Sequence, residues 1–321
     1  MSRVLEVWLL GRHVGQLAQV DGRLRFSYTP HWLQSAGAIP LSHSLPLRVE
    51  PFDDKAARPF FAGLLPEGDK RTLIAKVLHV SRQNDFSLLD GIGGECAGAV
   101  TLLEPGRRPG AVASAPTVRW LDEGELVAIL DELPRRPMLA GRDGLRLSLA
   151  GAQDKLPVVF GDGGIGLPLG DTPSSHILKP AIRDLDGSVF NEGFWLALAA
   201  RLKLSVVGSA IRRIDDRVYL LVERYDRRRQ SDGRMQRLHQ EDFCQALGVA
   251  PESKYQNEGG PDLARCFSLL REATRCCDLQ CADRQPGCTR QELLVDLHAA
   301  RCGVGASVRY PVDSGLSRPD R

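Results

Sequence analysis

Leu147-Ser148-Leu149-Ala150-Gly151-Ala152-Gln153-Asp154-Lys155 is the stretch from which the fold is read. Its leucines alternate with other residues, then give way to small ones, and Lys155 to Phe160 resumes an apolar run. The spacing predicts two strands, Leu145 to Leu149 and Lys155 to Phe160, joined as a hairpin whose tip is Ala150 to Asp154. Downstream, His176-Ile177-Leu178-Lys179 reads as a strand halted by Pro180. Asn191 to Leu202 reads as an amphipathic helix with Phe194, Leu198 and Leu202 on one face. Val218 to Val222 returns as a strand and ends at Glu223-Arg224-Tyr225-Asp226.

Hairpin, lysine-bearing strand, carboxylate-bearing helix and a strand with a short connector is the order of a kinase N-lobe. Each part has a physical use. A tip without side-chain bulk lets backbone N–H groups approach phosphates as an anion nest. Lys179 would neutralise phosphate charge, Glu192 would hold that lysine extended, and the backbone of Glu223 to Tyr225 would meet an adenine edge. Each part also has a plain alternative: a small-residue turn, a solvated strand-end lysine, an acid favoured by the helix dipole. Neither G-x-G-x-x-G nor G-x-x-x-x-G-K-[ST] occurs.

Outward from this block, Val4 to Leu9, Val14 to Leu17 and Arg23 to Tyr28 predict a small antiparallel sheet. Ala56 to Leu65 and Arg71 to Leu78 have helical spacing and are separated by Pro66-Glu67-Gly68-Asp69. The Gly-rich Gly91 to Val100 runs into a strand over Val100 to Leu103, Pro105 to Gly110 reads as a linker, and Asp122 to Leu133 as a helix. The 321 residues allow two domains, and 42 basic against 40 acidic side chains leave a net charge of +2, too small for sequence-independent nucleic-acid binding. Glu6 interrupts the N-terminal apolar run, so no secretory signal is read, and no uninterrupted apolar stretch suits a membrane span. A soluble cytoplasmic protein is expected.

Further matching stretches make a resemblance specific. They are Leu41-Ser42-His43-Ser44-Leu45-Pro46-Leu47, Phe60-Phe61-Ala62-Gly63-Leu64-Leu65-Pro66-Glu67, Asp85-Phe86-Ser87-Leu88-Leu89, Cys96-Ala97-Gly98-Ala99-Val100, Leu238-His239-Gln240-Glu241-Asp242-Phe243-Cys244-Gln245 and Lys254-Tyr255-Gln256. Together with the block above, the chain resembles the HipA family of serine/threonine kinase toxins from type II toxin–antitoxin modules, from residue 1 to about 274. The resemblance implies an α/β (α+β) fold: a small N-terminal α/β subdomain (1–104), a linker (105–110), and a kinase-like body (111–274) with N-lobe, hinge and the start of a C-lobe. By similarity Ala150, Gly151, Ala152, Gln153, Asp154 and Lys155 form the ATP phosphate loop, Lys179 contacts the phosphates, Glu192 supports it, and Glu223, Arg224 and Tyr225 form the adenine hinge. Ser148 matches the inhibitory autophosphorylation position, where a phosphate would repel the nucleotide. ATP and Mg²⁺ are the implied cofactors. The implied partners are a HipB-like helix-turn-helix antitoxin, with operator DNA reached through it, and a protein substrate such as an aminoacyl-tRNA synthetase.

The pattern breaks at the C-terminus. The family's catalytic loop, of the form N-x-D-x-H-x-K-N, and the metal-binding Asp that follows do not occur, so no catalytic residue is identified. Residues 276–321 hold five Cys and six Arg but no Lys, Ile, Phe, Asn, Met or Trp. Codons allowed for Gln285 to Leu294, regrouped in a shifted frame, permit Asn-x-Asp-Ala-His-Gly-Lys-Asn-Phe. Residues 275–321 are therefore read as an out-of-frame tail, most of the helical C-lobe as missing, the chain as catalytically defective, and its ATP and Mg²⁺ binding as weak or lost. A non-catalytic kinase remnant that binds antitoxin or nucleotide is the alternative. A zinc tail built on Cys276, Cys277, Cys281, Cys288, His298 and Cys302 fits less well, because no C-x-x-C pair is present.

Overall fold

In the computed structural model, residues 3–110, 117–142, 144–282 and 307–309 are described, with backbone alone for 273–282 and 307–309. Strict alternation makes Arg3–Leu9 (β1) a half-buried strand: Leu5, Val7 and Leu9 face the core while Glu6 and Trp8 face outward. β1 pairs antiparallel with Arg12–Val20 (β2), which pairs with Arg23–Tyr28 (β3). After the short helix Pro30–Leu33 (α1), the chain forms Asp54–Ala62 (α2), Gly68–Val77 (α3) and Asp85–Ile92 (α4). Asp53 caps α2 at the Ala56 N–H and Asn84 caps α4 at the Ser87 N–H. Val100–Leu103 (β4), buried throughout, completes a four-stranded sheet in the order β3-β2-β1-β4.

The body begins with Val118–Trp120 (β5) and Glu123–Glu132 (α5). Asp122 and Glu125 cap α5 reciprocally, a signature legible as D-x-x-E ahead of an apolar run. Leu156–Gly161 (β6), Gly164–Pro168 (β7) and His176–Pro180 (β8) precede the helix Ser188–Arg201 (α6), and Ser209–Ile214 (β9) and Arg217–Glu223 (β10) follow it. They form an antiparallel six-stranded sheet, β5-β7-β6-β8-β10-β9. Arg227–Arg229 (β11) pairs with Met235–Arg237 (β12). Gln240–Asp242 (β13) leads into Phe243–Ala246 (α7), and Leu263–Ala282 (α8) continues past residue 274. Ser307–Arg309 (β14) pairs with β13; the cysteine side chains from Cys276 onward and the rest of the region read as an out-of-frame tail lie outside the described residues.

Two expectations are corrected. Leu145 to Leu149 is not a strand of a hairpin with Lys155 to Phe160. The segment is extended, but its partners are in the N-terminal subdomain: Leu147 bridges Glu95 and Gly151 bridges Pro66, both in parallel. Leu145, Leu147 and Leu149 drive this choice, because all three are buried in a core shared with that subdomain. The hairpin is β6–β7, turning at Asp162-Gly163. The second correction concerns α6. Its inner face carries Val189, Leu196 and Ala199, whereas Phe194 (59% exposed) and Leu202 just beyond it (65%) face outward.

One apolar core runs from Leu5 in β1 through α2 and α4 to Leu178 and Leu221 in the body's sheet. Residues before position 104 and after position 117 therefore share one buried core. Among the described residues no helix is long and apolar enough to cross a membrane.

Candidate functional site

Lys179 lies on β8 opposite Leu220 of β10, so the pleat sends its side chain to the sheet face opposite Leu178. Its Nζ donates to Glu192 Oε1 at 2.6 Å, and both side chains are partly shielded. Between β8 and that helical carboxylate the ammonium is held extended, with capacity left for an anion.

The loop from Ala150 to Lys155 comes to the same lysine from the other side. Gly151 has φ of +102°, which L side chains resist, and a Cβ there would lie 2.8 Å from Lys155 Nζ. Lys155 Nζ donates to the Ala150 carbonyl, closing the loop on itself. Burial, reinforced by the Lys179 ammonium, pushes the Lys155 amine down to about 8. Asp154 is tied to Lys70 of α3 at 2.6 Å, and the Glu67 N–H donates to the Gly151 carbonyl at 3.4 Å. Ala152 is exposed and Gln153 half-buried. The geometry thus gathers Gly151, Lys155, Lys179 and Glu192 into one corner, where the carboxylates of Glu67 and Glu192 and the ammonium of Lys254 also act on Lys155.

Ser148 sits behind this corner rather than in it. Its side chain is fully buried, Oγ donates to the Leu64 carbonyl at 2.6 Å, and its N–H donates to the Glu95 carbonyl. The hydroxyl is out of reach of solvent in this arrangement.

At the strand end, the Glu223 N–H donates to Gly208 and the Arg224 N–H to Ser175, at 2.8 and 2.9 Å. The Arg224 guanidinium turns away from the lysines into a buried cluster, where it meets Asp226, Ser174 Oγ and the Cys96 carbonyl. Glu95, from the N-terminal subdomain, is the cluster's hub and pairs with Arg227 at 2.7 Å and with Arg237 and Arg224. Burial alone would raise both acids, but the arginines outweigh it, holding Glu95 far below the carboxylate range and Asp226 at about 2. Sequence reading missed this hub. Its one signal was an acid set among small residues in Gly93-Gly94-Glu95-Cys96-Ala97-Gly98.

The motifs that carried the resemblance dock on one another. Ser42 Oγ and the His43 N–H both donate to the Glu241 carboxylate, Gln245 Nε2 donates to the Phe60 carbonyl, and Lys254 pairs with Glu67. They fasten the small subdomain to the body around the loop.

For the phosphates of ATP the residues present fit in kind: a glycine in the left-handed region with two lysines beside it, one of them held by a helical carboxylate. Among the described residues no group of three His, Cys, Asp or Glu side chains is arranged to hold a metal ion.

Known proteins are similar to this chain over most of its length. The HipA N-terminal domain family matches residues 5–103, and the HipA-like C-terminal domain family matches residues 147–286. Y4mE of Sinorhizobium fredii is 50% identical over 275 residues, covering 85% of this chain and 66% of that protein. The serine/threonine-protein kinase toxin HipA of Shewanella oneidensis is 30% identical over 298 residues, covering 89% of this chain and 66% of that protein. The chain thus spans just under two thirds of the length of these relatives. A solved structure of the Shewanella oneidensis HipA, HipB and operator DNA complex matches with a TM-score of 0.68 at 28% identity, covering 84% of this chain and 65% of the matched one. On its sequence, its domain matches and its fold, the chain belongs to the HipA family.

Proposed function

We propose that this chain carries the nucleotide-holding half of a HipA-type serine/threonine protein kinase. The observation that carries the reading is the Lys179–Glu192 pair set against the loop at Gly151. Kinship supplies the rest: ATP as nucleotide, a HipB-like antitoxin as binding partner, and a translation protein such as an aminoacyl-tRNA synthetase as the family-type substrate. Phosphoryl transfer depends on positioning and on neutralising the transferred charge. The catalytic-loop pattern that does both is not spelled in this sequence, so the chain is read as transferring no phosphate and leaving Ser148 unmodified. The residues from 275 onward remain proposed as out-of-frame coding.

Calorimetric titration with Mg-ATP tests the reading. Millimolar binding that Lys179→Ala abolishes, with no phosphate incorporated into a synthetase, is the expected result. Equal titration curves for the two proteins would overturn the site, and transfer abolished by Lys179→Ala would overturn the catalytic defect.

A further inference from the structure

The N-terminal sheet carries a second concave site, away from the lysine corner. A cavity of about 550 Å³ opens beside β1 and β2, where outward-facing Glu6, Trp8 and His13 meet the edge of buried Trp32. This is the size range of small-molecule pockets. Its construction starts from a defect in the ladder: the β1–β2 register shifts between Val7 and Trp8, so that Trp8 pairs with His13 while Val7 pairs with Gly15. The extra residue, Val14, is buried beside Gly15. A bulge re-aims the side chains beside it, and here Trp8 and His13 lie together with ring centroids 5.0 Å apart.

The charge in the cavity is mostly of one sign. Arg12 lies over the Trp32 ring at 4.5 Å, and Arg107 and Arg108 enter from the turn after β4. None of the three has an ion-pair partner among the described residues. Glu6, the one carboxylate in the lining, is already engaged by His13 and by Gln16 Nε2. The Trp8 indole has a buried Nε1–H with no acceptor among the described residues. A buried orphan donor costs free energy, so it marks a place where an acceptor belongs.

Aromatic faces, the Arg107 and Arg108 guanidinium groups and a spare donor select a ligand with a flat ring and a strong anion; Arg12, which donates to Ser35 Oγ, is held in place over Trp32. We propose that this cavity is a nucleotide site distinct from the lysine corner. It takes a free nucleoside phosphate, with its base against Trp8 and its phosphate on Arg107 and Arg108. Stacking on an aromatic face and forked contact to phosphate are the two interactions this lining supplies.

The test uses the full chain carrying Lys179→Ala, which removes the first site, so that a failure there and a failure here read separately. AMP is titrated by calorimetry and by tryptophan fluorescence. Saturable binding is expected, weakened at least tenfold by Arg107→Ala/Arg108→Ala, whose exposed positions leave folding intact, and likewise by Trp8→Ser. Circular dichroism checks that the Trp8 variant is folded; the arginine pair decides the matter if it is not. No saturable AMP binding would overturn the proposal. So would adenosine or inorganic phosphate binding as tightly as AMP, or an affinity unchanged in the arginine variant. An oligo(dA) strand binding more tightly than AMP would move the site to single-stranded nucleic acid and overturn it as well.

Discussion

Lys179 Nζ stands 2.6 Å from Glu192 Oε1, joining β8 to the second turn of α6. The pair is partly exposed, so its worth lies in the posture of the lysine rather than in stability. Lys179→Met should therefore lower affinity for Mg-ATP at least tenfold, which is about 1.4 kcal/mol, while barely moving the melting temperature. Glu192→Gln should cost a smaller factor, because the ammonium stays but is no longer steered. Calorimetry and thermal unfolding on the same samples check both halves; a large drop in melting temperature with unchanged binding would make the pair purely structural.

Lys155 offers a chemical probe of the same corner. Burial and the Lys179 ammonium lower its amine to about 8, so at mildly alkaline pH a large share is neutral and nucleophilic. A limiting amount of an acylating reagent should modify Lys155 ahead of ordinary lysines, which titrate near 10.4. ATP should protect it. Lys179→Ala should slow the modification by removing the positive neighbour and letting the Lys155 pKa rise. Peptide mass mapping reads all three outcomes.

How much of this was legible in the sequence depends on how far each residue's partner lies along the chain. The reciprocal caps Asp122/Glu125 and Asp242/Gln245 close within four residues, and α5 is legible from its pattern. Alternation in β1 was equally local. Leu145 to Leu149 failed because its ladder partner is Glu95, about 50 residues earlier, and nothing in an alternating run says which strand it will join. The α6 face failed for another reason. Val189, Phe190, Phe194, Trp195, Leu196 and Leu198 surround most of the helix, and a helix apolar on most sides does not announce which side is inward. Glu95 takes arginines from more than 125 residues away, beyond any periodicity.

The Glu95 hub predicts a stability effect larger than any at the lysine corner. Arg224 and Arg227 are 1% exposed at their side chains, and Glu95 is 3% exposed. Removing one partner of a buried ion pair leaves uncompensated charge and typically costs about 3–5 kcal/mol. Glu95→Gln strands part of three guanidinium charges, so urea unfolding should shift by about that amount. Glu125→Gln, at the rim of α5, should shift it far less. Equal, small shifts would mean the arginines find other acceptors.

Acid sensitivity follows from two shielded groups three residues apart in one motif. Burial, opposed by the hydrogen bond to the Leu41 carbonyl, pushes His239 down from 6.5 to about 4. Burial likewise raises Asp242 from 3.8 to about 6, against its hydrogen bonds from the Gln245 and Cys244 N–H groups. The signs are opposite. The histidine's contribution is intact above its unfolded value and is lost as pH falls towards 4; the aspartate's is intact below 3.8 and is lost as pH rises through 6. Between these limits the two offset, and the wild-type stability should change little until Glu95 and Asp226 begin to protonate. Asp242→Asn keeps the helix cap but removes the titration. Its stability should fall by on the order of 3 kcal/mol between pH 6.5 and 4. His239→Gln should show the opposite slope, moderated by His176, whose pKa burial also lowers. Urea unfolding of the three proteins across this range decides it: parallel profiles would show that neither group titrates as its burial requires.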